Sequence, residues 1–191
     1  GEIRALVQAA IMQYNTDNLG DFKRTMRHSK LVGYSDAADS NILSVIISPL
    51  TIIPVVPVLN INNTYDLNFN NELEYDSELK TTTIISDYEP AISSSPFKYN
   101  GDDVLIHDDG KGALHIIRLT SSGFAFIERN IGTVDYTTGR TIIKSFNPTS
   151  FDGSEVKIIG KTKINNITSP KNRILSIRDA DITINVSGVN P

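Results

Sequence analysis

From residue 60 to residue 190 the sequence alternates short runs of β-branched and aromatic residues with clusters of Asn, Asp, Ser and Gly. That alternation constrains the fold more than any other feature of the chain. β-branched and aromatic side chains suit a pleated, half-buried surface. The polar clusters supply residues that bond nearby backbone or accept positive φ, which is what a turn needs. Helical spacing of apolar residues is absent here. The regular turn spacing predicts a mainly antiparallel β region, with strands near 65–69, 81–85, 104–107, 113–119, 124–129, 141–146, 156–162, 173–177 and 182–186. Segments 70–80 and 87–103 give no clear pattern, and the second of these contains Pro90 and Pro96.

Before residue 60 the period changes. Ile3, Leu6, Val7, Ala10, Ile11 and Tyr14 fall on one side of a helix over residues 2–14. Ala5, Ala9 and Met12 widen the stripe, and the polar remainder, Arg4, Gln8 and Gln13, is narrow. One reading packs this stripe within its own fold. The other adds a second subunit, with Ile3, Val7, Ile11 and Tyr14 as candidate subunit contacts. Under that second reading Val7→Asp weakens an oligomer more than it unfolds a monomer. Asp17 or Asn18 is placed to cap a second helix over 19–29, with Lys23, Arg24, Arg27, His28 and Lys30 on its basic side. Residues 42–47, Ile-Leu-Ser-Val-Ile-Ile, read as a strand. Pro49, Pro54 and Pro57 then interrupt the longest apolar region, so residues 48–58 belong at a sheet edge or in a connector.

The fold class that follows is α+β: N-terminal helices followed by a mainly antiparallel β region. The expected division is residues 1–59, a helical entry with a strand and a Pro-rich connector, and residues 60–191, the antiparallel β region. A chain of 191 residues is long enough to bury a sizeable core without staples. With no Cys there are no disulfides, thiolate nucleophiles or Cys-based metal sites. The net charge of −4 argues against a general nucleic-acid binder. No run approaches the roughly 20 apolar residues of a membrane helix.

Two stretches invite a chemical reading. Residues 130–146 place Asp135, Tyr136, Thr137 and Thr138 between apolar runs, ahead of Gly139. Asp and Thr side chains bond turn amides, and Gly accepts a left-handed backbone, so this is expected to be a hairpin loop. Residues 100–112 hold two Asp pairs and a His. An oxygen-rich loop suits Ca²⁺ or Mg²⁺, but the alternating acids of an EF-hand are missing. Val104, Leu105 and Ile106 separate the pairs as a strand would, which makes 108–112 a hairpin tip. His107 and His115 then flank that hairpin, with Asp108 as a possible third zinc ligand. The bland alternative is a polar pair on a sheet face.

Charge is segregated. From Asp66 to Glu89 there are seven acidic residues and one Lys, while 156–178 is rich in Lys and Arg. Such patches either dock copies of the chain on one another or neutralise each other within the fold.

Two segments also carry a family resemblance. Residues 22–47 run Phe-Lys-Arg-Thr-Met-Arg-His-Ser-Lys-Leu-Val-Gly-Tyr-Ser-Asp-Ala-Ala-Asp-Ser-Asn-Ile-Leu-Ser-Val-Ile-Ile, and residues 131–143 run Ile-Gly-Thr-Val-Asp-Tyr-Thr-Thr-Gly-Arg-Thr-Ile-Ile. In their order they resemble the baseplate wedge protein of contractile-tailed bacteriophages, related to the baseplate J proteins. That family has a Ser-Lys/Arg-Leu, an Asp-x-x-Asp turn, an Ile-rich strand and, much later, a Gly-x-x-Asp-Tyr-x-x-Gly hairpin. The resemblance implies the C-terminal portion of a virion scaffold protein. It further implies copies that pair and join neighbouring wedges into a ring around the tail hub, other wedge proteins as partners, and a tail-baseplate location after assembly in the host cytoplasm. The family carries no catalytic residues, so none is carried over; no cofactor is expected, and charge and the lack of a long apolar run leave neither nucleic acid nor membrane as an expected partner. Two rivals come from other classes. A carbohydrate- or host-surface-binding β module would need stacking aromatics, and the chain has no Trp. A metal-dependent hydrolase would use Asp102, Asp103, His107, Asp108 and Asp109.

Overall fold

The computed structural model describes residues 1–75, 89–121, 123–169 and 173–187. The expected strand at 81–85 lies outside these residues. The chain has two N-terminal helices followed by a large antiparallel sheet region, the α+β class expected. It divides into two compact units, residues 1–48 with 165–191 and residues 49–164. This division does not follow the 59/60 boundary read from composition. Residues 49–59 enter the sheet unit because part of them pairs with a strand near residue 160, and the C-terminal stretch returns to the helical unit. Both are long-range contacts that a composition shift does not register.

In the helical unit, helix α1 spans Glu2–Asn18. Its last turn extends past the apolar stripe because polar side chains hold it there. Gln13 Nε2 donates to Asp17 Oδ1 at 2.8 Å, and Asn18 Nδ2 donates to the Tyr14 carbonyl at 3.0 Å. Asp17 and Asn18 therefore finish the first helix instead of capping a second. The expected helix 19–29 does not form. Gly20 and Lys23 both have left-handed backbones, at φ 85° and 60°, which a right-handed helix does not accommodate. The short strand β1 (Thr25–Met26) follows, then helix α2 (His28–Asp36). β1 pairs antiparallel with β12 (Ile167–Thr168). Val7, Ile11, Tyr14, Leu19, Met26, Leu31 and Ile167 form the core of this unit.

The sheet unit contains β2 (Leu50–Val55), β3 (Asn63–Asn68), β4 (Ile92–Ser94), β5 (Phe97–Tyr99), β6 (Asp102–Asp108), β7 (Ala113–Thr120), β8 (Gly123–Asp135), β9 (Arg140–Phe146), β10 (Ser150–Phe151) and β11 (Val156–Lys161). Their order is β2-β11-β4-β6-β7-β8-β9-β3, with β5 joining β6 to β10. Every recorded pairing is antiparallel, and the sheet curls into a nearly closed barrel. Alternation appears plainly in β11, where Val156, Ile158 and Gly160 are buried between half-exposed neighbours. Ile92, Ile106, Leu114, Ile143 and Ile158, all fully buried, pack with Phe97 and Phe146 inside.

Strand β8 is longer than the 124–129 read from the sequence. Asn130 adopts φ 56°, and the β7 pairing shifts register between Leu114 and Ile116. A bulge thus lets one strand continue where local pattern suggests a break. Strand β2 lies at an edge, as its prolines require. Lys157 directs both its N–H and its carbonyl to Ser95, at 3.0 and 2.9 Å, so it faces away from β2. Pro54, directly opposite Lys157, therefore sits in a non-hydrogen-bonded pair and turns its backbone outward. Its missing donor falls on the open side of the strand.

Three expected strands are absent. Residues 42–47 and 182–186 form no ladder, and within 173–177 only Ile174 makes an isolated bridge, to Phe22.

Candidate functional site

The polar residues singled out in the sequence gather at two hairpin tips of the sheet unit. The 135–140 turn is held by Asp135. Its Oδ1 accepts from the Thr137 and Thr138 N–H groups at 3.0 and 3.3 Å, and its Oδ2 accepts from Thr138 Oγ1 at 2.7 Å. These donors, the Thr138 hydroxyl first, hold its carboxyl below the usual carboxylate range. Gly139 closes the loop at φ 72°. The polar residues of this stretch are thus spent on turn geometry.

Tyr136 ties this tip to the one at 108–113. Its hydroxyl donates to Asp108 Oδ2 at 2.8 Å and accepts from the Gly112 N–H at 3.1 Å. Asp108 is fully buried, and it also accepts from the Ile92 N–H at 2.8 Å and the Gly110 N–H at 3.1 Å. Burial pushes its carboxyl up, against the donors that pull it down. Burial, with the neighbouring Asp108 charge, also pushes the Tyr136 phenol up. Three donors converging on one carboxylate make a latch that joins the two tips to β4.

His107 and His115 do face each other across β6 and β7. His115 Nδ1 accepts from the Asn130 N–H, the amide that the bulge removes from the ladder, at 3.1 Å. That acceptor role leaves the proton on Nε2, which lies 3.5 Å from Asp109 Oδ2. Desolvation pushes His107 down to about 4, so near neutral pH it is a neutral buried ring. The two Asp pairs lie at opposite ends of β6, roughly 20 Å apart at strand rise. Asp102 pairs with Arg118 at 2.7 Å and Asp103 with Lys98 at 2.7 Å, beside an open cleft of about 430 Å³. The five residues of the hydrolase reading therefore do not meet. Among the described residues no three His, Asp or Glu side chains converge as metal ligands.

The acidic segment is likewise engaged inside its own unit. Asp66 binds Arg140 through two bonds, at 3.0 and 2.6 Å. Glu72 meets Lys163 at 2.5 Å, and Lys161 bridges Glu74 and Glu89. Of the two readings of segregated charge, these described residues follow internal neutralisation.

The candidate subunit contacts Ile3, Val7, Ile11 and Tyr14 all lie on α1. Val7, Ile11 and Tyr14 are buried in the helical unit's own core, and Ile3 packs against the same cluster half-buried. Tyr14 is fully buried, stands edge-on to Tyr34 at 5.4 Å and accepts the Arg27 N–H at 2.9 Å. Ile3, Val7, Ile11 and Tyr14 share their cluster with Leu31, Ile167, Leu175 and Ile182, while Ala5, Leu6 and Ala9 remain exposed. Open apolar side chains lie on α1 at Leu6, which is 38% exposed, and where the sequence reads a strand and a Pro-rich connector. Leu43 and Ile46 are 80% and 93% exposed in the helical unit. Leu50, Val56, Val58, Leu59 and Ile61 are exposed in the sheet unit. The signal was present in the uncharged run at 42–47 and in the apolar residues between prolines.

No family model matches the chain, and no curated protein matches it in sequence.

Proposed function

We propose that the chain is a non-enzymatic structural subunit of a phage tail baseplate wedge, which self-associates and joins neighbouring wedges into the ring around the tail hub. The motif order in residues 22–47 and 131–143 motivates the identification. The observation that carries an assembly role is the pairing of two facts. Acids of the hairpin tips and His115 bond groups of their own unit, and large aliphatic side chains remain open to solvent in each unit, Leu43 and Ile46 in one and Leu50, Val56, Val58, Leu59 and Ile61 in the other. Exposed apolar side chains in each unit offer surface for association. Burial of such surface supplies adhesion, while shape and charge choose the partner.

Sedimentation velocity over a wide concentration range, alone and with other wedge proteins, tests the reading. Concentration-dependent self-association and co-sedimentation are expected. A chain that remains monomeric throughout and binds no wedge protein overturns it. The carbohydrate-binding alternative would use the half-exposed Phe124 and Phe126. These rings stand edge-to-face at 5.1 Å and Arg129 caps Phe126 at 3.5 Å, so they offer no open stacking platform. Specific signals on a glycan array would restore that alternative.

A further inference from the structure

The helical unit contains two stretches with the composition of strands and the hydrogen bonding of neither strand nor helix. Residues 42–48 and 182–187 carry no helix, turn, bend or ladder. Ile42 and Ile47 in the first, and Ile182 and Ile184 in the second, pack on the unit's core. Leu43, Ile46 and Val186 point to solvent, at 80%, 93% and 52% exposure. The ends are tied down: the Ile42 N–H donates to the Asp39 carbonyl at 3.2 Å, and His28 Nε2 bonds the Ile47 carbonyl at 2.8 Å. Between those ties residues 43–46 make no hydrogen bond within the chain among the described residues, and neither do residues 183–186.

Backbone N–H and C=O groups are obligatory bonding groups, and a β-branched run prefers to meet them in a ladder. Natural sheet edges are protected with Pro, Lys or bulges. Strand β2 has that protection in the outward-facing Pro54. Residues 42–47 have none: the run holds no charge, no Pro and no Gly. Residues 182–186, Ile-Thr-Ile-Asn-Val, are equally unprotected. A segment of this kind left open in the finished assembly would be an aggregation site.

We infer that residues 42–47 of one copy form an intermolecular β-ladder with residues 182–186 of a second copy. A second copy fits better than an unrelated partner for a reason internal to the unit. Each chain offers both unpaired strands from the same core. One two-fold exchange therefore forms the ladder twice, with Leu43, Ile46 and Val186 at the junction. Both strands are uncharged, so neither selects a partner of opposite charge. The inference rests on the self-association proposed above and specifies the segments that carry it.

Because the chain has no Cys, single-cysteine variants report pairing cleanly. Ser44→Cys and Thr183→Cys, prepared separately, mixed and treated with a short thiol cross-linker, should give the mixed dimer. Amide exchange at 43–46 should slow as concentration drives the wild type into dimers. Ile46→Lys, a change at a side chain almost fully in water, should keep the helical circular dichroism and lose the dimer. If the wild type dimerises while amides 43–46 exchange freely, or Ser44→Cys cross-links to itself in place of the mixed pair, the strand exchange is wrong and the assembly reading stands. If the wild type is monomeric at every concentration, both fall.

Discussion

Gly139→Ala tests whether the 135–140 hairpin is a rigid part of the sheet unit or a loop free to adjust. A Cβ at this position would lie 2.4 Å from the Asn71 carbonyl oxygen and 3.2 Å from Phe69 Cβ. An ordinary carbon–oxygen contact is about 3.3 Å, so the carbonyl would have to retreat by roughly 0.9 Å. It is not free to do so alone. The Phe69 N–H donates to the Gly139 carbonyl at 3.0 Å, and Asn71 Nδ2 donates to the Phe69 carbonyl at 2.7 Å. Losing one such bond in a buried setting costs about 1–3 kcal/mol. The left-handed backbone adds about 1–2 kcal/mol for any Cβ, and the stiffer unfolded chain returns about 0.4–1 kcal/mol.

Gly153→Ala supplies the control. Gly153 has φ 78° with nothing within 4 Å of its Cβ position. It carries the backbone and unfolded-state contributions without the clash. Gly139→Ala should therefore be less stable than Gly153→Ala by about 1–3 kcal/mol. Urea unfolding, followed by tyrosine fluorescence because the chain has seven Tyr and no Trp, should show its midpoint lower by roughly 1 M. Equal midpoints for the two variants would refute the claim that Asn71 and Phe69 hold this turn in place.

Pro54→Val restores an outward N–H on an edge strand without disturbing the β11 ladder; the fold should persist, and turbidity on concentration should rise. An unchanged solubility limit would show that the proline does not guard that edge. Val7→Asp places a carboxylate in the helical core, where Val7 is 7% exposed, at a cost of roughly 4 kcal/mol or more. Helical circular dichroism should collapse rather than a dimer dissociate; a folded monomer would return Val7 to the role of subunit contact. Asp66, Glu89 and Asp135 are held below the ordinary carboxylate range, by Arg140, Lys161 and Thr138 respectively. Their folded values are depressed, so each contributes stability that is present above about pH 4 and lost as pH falls through its folded value. Thermal melts of the sheet unit should stay level down to about pH 5 and fall below that, and Asp135→Ala should flatten part of the decline.

Local pattern made several elements legible before any coordinates. Helix α1 follows from Ile3, Val7, Ile11 and Tyr14, and β6, β7, β9 and β11 from alternating β-branched residues between Gly and Asp clusters. The turns at 108–112 and 135–139 follow from Asp and Gly chemistry. These features depend on residues near one another in sequence, whose geometry is decided by φ, ψ and side-chain reach. The helix expected at 19–29 fails for a related reason: nothing in the residue types requires Lys23 to turn left-handed, and the demand comes from the strand β1 that must meet β12.

What the sequence by itself determined is therefore the α+β class, the first helix, most sheet strands and the nature of both hairpin tips. Tertiary structure alone decided that Asp108 is reached by Tyr136 and Ile92, that Asp66, Glu72, Glu74 and Glu89 are met by Arg140, Lys161 and Lys163, and that Val7, Ile11 and Tyr14 are covered from within. It also decided which β-prone runs find a ladder and which, at 42–47 and 182–186, do not. The physical reason is common to all of these. Each depends on groups far apart along the chain, and a side chain's worth as core, latch or open surface is set by what arrives opposite it.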